Sequence, residues 1–215
     1  MKITDKIEIT NEDNMDLMKR YPDNYFDLAI VDPPYGIGAV KNIGRRKKWK
    51  SYKVDIHVKK EWDNEIPSEE YFNELFRVSK NQIIWGSNYF GLPATKGIIA
   101  WDKICDKTDF SDFELAWSSF DKGAKIFRLP IQAESQRRIH PTQKPRQLYN
   151  WLLDNYAKEG DKILDTHLGS GSIALACHDR GFELTACELD KDYFEAAIKR
   201  IQNHTAQQTI FDQGA

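Results

Sequence analysis

The stretch Lys162-Ile-Leu-Asp-Thr-His-Leu-Gly-Ser-Gly-Ser-Ile-Ala174 decides the fold of this 215-residue chain. Residues 162–164 have the apolar pattern of a short strand, and Ser172–Arg180 predicts a helix that ends at a glycine. Between them, Gly169 and Gly171 follow the G-x-G-x-x-G/A spacing, which lets backbone approach a ligand closely. The start of a helix also offers unpaired N–H groups. A strand, a glycine turn and a helix in this order predict a site for a nucleoside-type ligand.

An acidic residue supports this prediction. The next strand, Glu183–Cys187, runs into Glu188, nineteen residues beyond Gly169, where many nucleotide-binding folds place the acid that binds a ribose diol. NAD-dependent dehydrogenases use the same glycine spacing and are the alternative of a different class. Only 44 residues follow Gly171, however, so most of the sheet must come from upstream. The fold is therefore predicted to be circularly permuted, which weakens the dehydrogenase interpretation.

The upstream sequence alternates between strand and helix patterns, as a doubly wound α/β sheet requires. We predict one domain, residues 1–215, with a Rossmann-like, mostly parallel sheet and an antiparallel edge hairpin. Long irregular segments are predicted at about 36–62 and 118–139. The predicted strands are Lys6–Thr10, Phe26–Val31, Gln82–Trp85, Gly97–Trp101 and Phe113–Trp117, and the predicted helices are Asn11–Arg20, a helix opened by Pro67 and Ser68, Gln143–Ala157 and a last helix capped by Asp190.

A second motif, Asp32-Pro33-Pro34-Tyr35, follows the apolar run Phe26–Val31. In an open α/β sheet, ligands bind at the carboxyl ends of the strands, where the strand order reverses. The two prolines remove two N–H donors, so the corner offers acceptors: the Asp32 carboxylate and the Pro33 carbonyl. Tyr35 adds an aromatic face. Such a set suits an exocyclic amine on a flat ring, and the alternative is a rigid strand-ending turn.

The charge is unevenly distributed. The chain has a net charge of −2, yet residues 41–60 hold nine basic residues and a single acid, Asp55. A concentrated basic segment on a mildly acidic body favours a polyanionic partner, although a solvated loop has the same composition. The three cysteines (Cys105, Cys177, Cys187) have no metal-like spacing, so we expect no metal site and a reducing cytoplasm. No apolar run reaches membrane-spanning length, so we expect no membrane partner.

These motifs together resemble the amino-methylating DNA methyltransferases, which use S-adenosylmethionine. The order of the motifs, with the Asp-Pro-Pro-Tyr corner before the glycine loop, is similar to the beta arrangement of that family. Ile83–Phe90 and Trp101–Lys103 resemble its middle strands, and His140–Pro145 resembles the segment that closes over the methionine end of the cofactor. One departure is Asp165-Thr166-His167, where the family has Asp-Pro-Phe.

The resemblance implies roles for individual residues. The catalytic residues would be Asp32, Pro33, Pro34 and Tyr35. Contacts to S-adenosylmethionine are expected from Asp13 (adenine), Lys144 (carboxylate, or else an ion pair with Asp165), Asp165 (ammonium), His167 (an imidazole replacing the aromatic ring, or else a turn histidine), Gly169, Ser170, Gly171 and Glu188 (ribose). Contacts to DNA are expected from Arg45, Arg46, Lys47, Lys48 and Lys50 in the basic loop and from Arg137 and Arg138 in the predicted target-recognition stretch.

The implied reaction is methyl transfer to the N6 amine of an adenine flipped out of double-stranded DNA. Asp rather than Ser at the first corner position favours adenine, and cytosine-N4 methylation is the near alternative. A homodimer is a further expectation, as is a restriction-modification role. The segment Gln207–Phe211 resembles a short peptide that docks on sliding clamps and is predicted to follow the last helix.

Overall fold

A computed structural model describes residues 1–38, 63–105, 111–130, 138–140 and 142–212, with the backbone alone from residue 207. Helices pack on both faces of one eight-stranded sheet. The helices are α1 (Asn14–Met18), α2 (Glu69–Val78), α3 (Arg146–Tyr156), α4 (Ser172–Arg180) and α5 (Lys191–Asp212). The strands are β1 (Ile7–Thr10), β2 (Phe26–Val31), β3 (Ser79–Trp85), β4 (Ile99–Asp102), β5 (Phe113–Ser118), β6 (Lys125–Arg128), β7 (Lys162–Asp165) and β8 (Glu183–Cys187).

The sheet has the order β1-β8-β7-β2-β3-β5-β4-β6. The first five strands in this order are parallel, and β5 runs antiparallel to both of its neighbours. This confirms the predicted doubly wound, mostly parallel sheet with an antiparallel hairpin, formed by β4 and β5. Strand β6 lies outside the hairpin and pairs parallel with β4.

The apolar core explains why β2 is a nearly continuous apolar run. Leu28 and Ile30 pack into the cluster that includes α3 and α4, whereas Ala29 and Val31 pack into the cluster that includes α1 and α2. A strand covered on both faces must be apolar at successive positions. Its central place in the sheet follows from the same pattern.

The two motifs meet because β2 and β7 are neighbours. Leu28 pairs with Ile163 and Ala29 with Leu164, so the carboxyl ends of both strands lie at one edge. The strand order reverses between β7 and β2, which is the place where open α/β sheets bind ligands. Asp32 and the glycine loop therefore share one crevice edge despite their separation along the chain.

Several helix boundaries follow the predicted signals. Ser68 caps α2 by accepting the Tyr71 N–H, Asp190 Oδ1 accepts two N–H groups at the start of α5, and Gly181 ends α4 with a φ of 72°. Within the described ranges, none of the helices is long and apolar enough to cross a membrane.

Two predictions about local structure are wrong. Residues 118–139 are not irregular throughout, because Lys125–Arg128 forms β6, whose mostly exposed residues lack the apolar pattern of a buried strand. Segment 207–211 does not follow the last helix but lies within it, since α5 continues to Asp212. Part of each predicted long segment lies outside the described residues: residues 39–62 of the basic loop and residues 131–137 of the segment 118–139.

Candidate active site

The turn after β2 is fixed by hydrogen bonds to Asp63, a residue that lies 28 positions after Tyr35 in the sequence. Asp63, 3% exposed, accepts hydrogen bonds at Oδ1 from the N–H groups of Tyr35 (2.8 Å) and Gly36 (3.0 Å). Because Pro33 and Pro34 have no N–H, these are the first backbone donors after Asp32. Asp63 binds both of them, which leaves the corner with acceptors.

Replacing Asp63 with Ala is expected to lower the free energy of unfolding by about 2–4 kcal/mol, since two partly buried amides lose a charged acceptor. Asp63→Asn keeps an acceptor oxygen at the same place, so its free energy of unfolding should fall clearly less than that of Asp63→Ala. Urea denaturation of the two variants and the wild type measures the difference. Equal stability of all three proteins would show that Asp63 does not hold the corner.

Tyr35 is one of two parallel rings beside Asp32. Its ring stacks on that of Tyr89, with centroids 5.0 Å apart and planes 15° apart. The end of β3 has glycine at the point of contact: Gly86 has a φ of 77°, and a Cβ on it would lie 2.2 Å from Tyr35 Cε1. Any larger residue at position 86 would displace the tyrosine ring.

Lys144 lies in the corner formed by Asp32 and Tyr35. Its Nζ is 2.5 Å from Asp32 Oδ2, 3.0 Å from Glu114 Oε2 and within 3.1 Å of the Tyr35 hydroxyl. The Tyr35 hydroxyl in turn donates to Asp32 Oδ1 at 2.6 Å, so both carboxylate oxygens of Asp32 have a partner. The lysine is buried, with its ammonium over the rings of Trp85 and Tyr35.

This placement bears on the predicted roles of Lys144. An ion pair with Asp165 is wrong, because the lysine reaches toward β3 and β5 and its carboxylate partners are Asp32 and Glu114. The contact with a cofactor carboxylate stays a prediction without support from these contacts. What the structure shows instead is a direct link between the segment before α3 and the Asp32 carboxylate.

The pKa values of this group follow from burial and charge. Burial opposes the charged form of Lys144, but Asp32 and Glu114 outweigh it and raise the lysine pKa. Burial raises the pKa of Asp32, although Lys144 opposes the shift. For Glu114, Lys144 and Lys103 overcome the effect of burial and lower the pKa to about 2. Burial and Asp32 raise the pKa of Tyr35 well above its ordinary value, so its hydroxyl stays protonated and donates.

The glycine loop after β7 adopts the conformation that its glycines allow. Gly169 and Gly171 have φ values of 53° and 73°, and a Cβ on Gly171 would lie 3.0 Å from Ile201 Cδ1. Glu188 Oε2 accepts the Gly169 N–H at 2.8 Å, and Oε1 accepts the Asp190 N–H. The acid at the end of β8 thus lies against the loop, in the position predicted for a ribose-binding carboxylate.

Asp165 is a buried acid at the end of β7, 2% exposed. Its Oδ1 accepts the His167 N–H at 2.9 Å, and no basic side chain of the described ranges forms an ion pair with it. Burial raises its pKa to about 8, with Asp32 and Glu188 adding to the shift. A buried carboxyl group that lacks a cation fits a ligand that supplies one.

His167 has partners on both ring nitrogens. Nε2 lies 3.1 Å from Asn14 Nδ2 and Nδ1 lies 2.9 Å from Thr166 Oγ1, which itself contacts the Tyr71 hydroxyl. Burial lowers its pKa to about 3, so the ring is neutral. These contacts agree with the alternative of a satisfied turn histidine.

The other predicted cofactor residues are distributed around the loop. Asp13 is exposed and caps α1 by accepting the Met15 N–H at 2.8 Å. Ser170 is buried, its hydroxyl lies 3.1 Å from the Ser172 hydroxyl, and Arg200 donates to its carbonyl. Ser170 is therefore part of the internal hydrogen bonding of the loop. His140 packs its ring near Gly169 and against Tyr193.

Most of the predicted DNA contacts lie outside the described residues, namely Arg45, Arg46, Lys47, Lys48, Lys50 and Arg137. Arg138 is described, and it is partly buried.

Comparison with known proteins agrees with this geometry. The family model described as DNA methylase, of the N6/N4 type, matches residues 95–199. The type II methyltransferase M2.DpnII of Streptococcus pneumoniae is 36% identical over 163 residues, which are 76% of this chain and 56% of the relative. Both matches support the family of amino-methylating DNA methyltransferases.

Solved structures share the fold of this methyltransferase at low sequence identity. The M1.HpyAVI–SAM complex is 21% identical with a TM-score of 0.57, and the alignment covers 90% of this chain and 99% of that one. PvuII DNA methyltransferase, described as cytosine-N4-specific, is 12% identical with a TM-score of 0.61 and coverages of 93% and 92%. One of these structures contains S-adenosylmethionine, the methyl donor that the family uses.

Proposed function

We propose that the protein is a site-specific DNA adenine-N6 methyltransferase that acts on an adenine flipped out of double-stranded DNA. The observation that supports this most directly is the Asp32 corner: a carboxylate in a turn whose next two residues have no backbone N–H, beside the Tyr35 ring and one strand away from the glycine loop. An exocyclic amine has two N–H donors and needs such acceptors.

The corner would activate the amine through hydrogen bonds. The lone pair of the N6 amine is delocalised into the ring, which makes it a poor nucleophile. Hydrogen bonds from its two protons to Asp32 and the Pro33 carbonyl favour a pyramidal nitrogen. They also stabilise the positive charge that grows on nitrogen during transfer, which is the part of binding that accelerates a reaction.

The cofactor would supply a methyl group on a sulfonium centre. Asp165 would hold the methionine ammonium, which satisfies its buried carboxyl group. Glu188 would bind the ribose hydroxyls, Gly169 and Gly171 allow close approach, and Asp13 would face the adenine. Holding nitrogen and methyl carbon in line contributes through positioning.

The target base must leave the stacked duplex, which costs a few kcal/mol. Stacking on an aromatic face offsets this cost, and Tyr35 with Tyr89 provides two parallel rings at the corner. Tyr89 is 38% exposed and therefore accessible from outside.

Cytosine-N4 methylation is the second candidate, because it uses the same chemistry and PvuII methyltransferase has the same fold. Asp32, where the cytosine enzymes tend to have Ser, favours adenine. Transfer of a tritiated methyl group to defined duplexes, followed by nucleoside analysis, tests the proposal. N6-methyladenine is expected, N4-methylcytosine would establish the second candidate, and an unlabelled duplex would contradict both.

The double variant Lys47→Ala/Lys48→Ala is expected to weaken DNA binding and to flatten its salt dependence by about 0.9 for each phosphate that the variant no longer neutralises. Fluorescence anisotropy at several salt concentrations measures the slope. Lys80→Ala/Lys96→Ala is the matched control, because both lysines are exposed and lie at the opposite edge of the sheet. Identical slopes for the two double variants would remove the basic loop from the interface.

We also infer a cytoplasmic location, which agrees with three buried free cysteines: Cys105, Cys177 and Cys187. The homodimer and the sliding-clamp contact through Gln207–Phe211 stay predictions.

A further inference from the structure

Four charged side chains form a continuous chain that ends at the catalytic carboxylate. Lys103 Nζ lies 2.7 Å from Glu114 Oε1, Glu114 Oε2 lies 3.0 Å from Lys144 Nζ, and Lys144 Nζ lies 2.5 Å from Asp32 Oδ2. The two lysine side chains are 8% and 2% exposed, and Glu114 is 24% exposed. Positive and negative groups alternate along the chain, so its formal charge is zero when all four are ionised.

The antiparallel hairpin brings this chain to the active site. Asp102 pairs with Phe113, and Trp85 at the end of β3 pairs with Ala116, so Lys103 and Glu114 lie at the edge that carries Asp32. Lys144 enters from the segment before α3. Four separate parts of the sequence thus contribute one charge each.

We propose that Glu114, held by Lys103, is a positioning residue for methyl transfer: it anchors and balances the Lys144 ammonium, which keeps Asp32 ionised as an acceptor. This inference rests on the proposed function of the Asp32 corner. Glu114 acts through Lys144 and does not touch Asp32 itself.

The physical need arises from the burial of Asp32. A protonated carboxyl group would offer the target amine a donor where it requires an acceptor. The Lys144 ammonium opposes this protonation. An unbalanced ammonium, however, would also repel the positive charge that develops on the amine nitrogen. Glu114 offsets that repulsion and fixes the lysine by a hydrogen bond on the side away from Asp32.

The charges around Asp32 come from several elements. Lys144 faces it from the segment before α3, Glu114 from β5, Asp165 from β7 and Tyr35 from its own turn. Glu114 raises the pKa of Asp32 and Lys144 lowers it. Removing the charge of Glu114 must therefore lower this pKa, and removing the charge of Lys144 must raise it. A role confined to packing would produce no such opposition.

The test compares pH profiles of kcat for Lys144→Met and Glu114→Gln with that of the wild type. Lys144→Met is expected to move the acid limb to higher pH by about 1–3 units, the usual effect of losing an adjacent opposite charge. Glu114→Gln keeps a hydrogen-bond acceptor but removes a negative charge, so its acid limb is expected at lower pH and its plateau kcat should fall. Lys144→Arg should restore the wild-type limb.

Carboxyl carbon-13 NMR of the ligand-free proteins gives the same test without activity. The pKa of Asp32 should be higher in Lys144→Met and lower in Glu114→Gln than in the wild type. Asp165 is present in all of these proteins, so its presence does not distinguish them. If Lys144→Met does not fold, the test rests on the other two variants: the pKa of Asp32 should fall in Glu114→Gln and stay at the wild-type value in Lys144→Arg. Lys96→Met, which breaks an exposed pair with Asp121, is the control and should shift nothing.

The outcomes separate the two proposals. If the wild-type protein methylates no duplex, the proposed function is contradicted. If the wild type is active but the pKa of Asp32 is unchanged or raised in Glu114→Gln, this inference alone is contradicted.

Discussion

The Asp32→Ala variant is expected to transfer methyl groups about 10²–10³-fold more slowly than the wild type, because the developing charge on the amine loses its carboxylate. Asp32→Asn keeps one acceptor oxygen without the charge, so its methyl-transfer rate should lie between those of Asp32→Ala and the wild type. The single-turnover rate with labelled cofactor and saturating duplex measures the chemical step.

Tyr35→Phe is the matched variant for this experiment. It keeps the stacking ring and removes only the hydroxyl that donates to Asp32 Oδ1. We expect it to lose much less of the rate than Asp32→Ala. Cofactor affinity should be retained in all three variants, which separates slow chemistry from failed binding. An Asp32→Ala protein that methylates at the wild-type rate would contradict the proposed mechanism.

The second large effect concerns Asp165 and pH. Its pKa is raised to about 8 in the ligand-free protein, so below that pH the carboxyl group must release a proton before it can pair with an ammonium. An α-amino group loses its own charge near pH 7.7–8.0. Cofactor affinity is therefore expected to peak near pH 8 and to fall on both sides, by up to about tenfold per pH unit.

Asp165→Asn should weaken cofactor binding and remove the acid limb of this profile, leaving only the alkaline limb. Isothermal titration in buffers of different ionisation enthalpy would measure the proton release directly. An acid limb that persists in the variant would show that another group titrates.

The same shift affects the stability of the ligand-free protein. A carboxyl group whose pKa is raised on folding contributes stability at low pH that declines as the pH rises and is gone above a pH of about 8. The stability of Asp165→Asn relative to the wild type should therefore rise between about pH 4 and pH 8 and stay constant at higher pH, as measured by urea denaturation.

The fold was predictable from local patterns where those patterns are physically required. Strand β2 must be apolar on both faces, α4 ends at a glycine, and the glycine loop needs residues that tolerate positive φ. The permuted order of the sheet was predictable from the position of Gly171, whereas the pairing of β2 with β7 became known only from the structure. Strand β6 was missed because its residues are largely exposed and only its pairing with β4 defines it.

The site was predictable only in part, since long-range contacts leave no local pattern. Asp63 reaches the corner across the whole basic loop, and no spacing rule links it to Tyr35. Glu114 is one acid at the start of a strand, and its partners come from two other segments. The motif around Lys144 was recognised, but which charged group the lysine contacts depends on how the segment before α3 crosses the sheet.

The pairing of β1 with β8, and of β2 with β7, has a consequence for biosynthesis. During translation the Asp32 corner emerges well before β7 and β8, the strands that β2 and β1 need as neighbours on that side. The crevice cannot close around a methyl donor while the chain is still short. The proposed site is therefore complete only after β7 and β8 have been synthesised and have paired with β2 and β1.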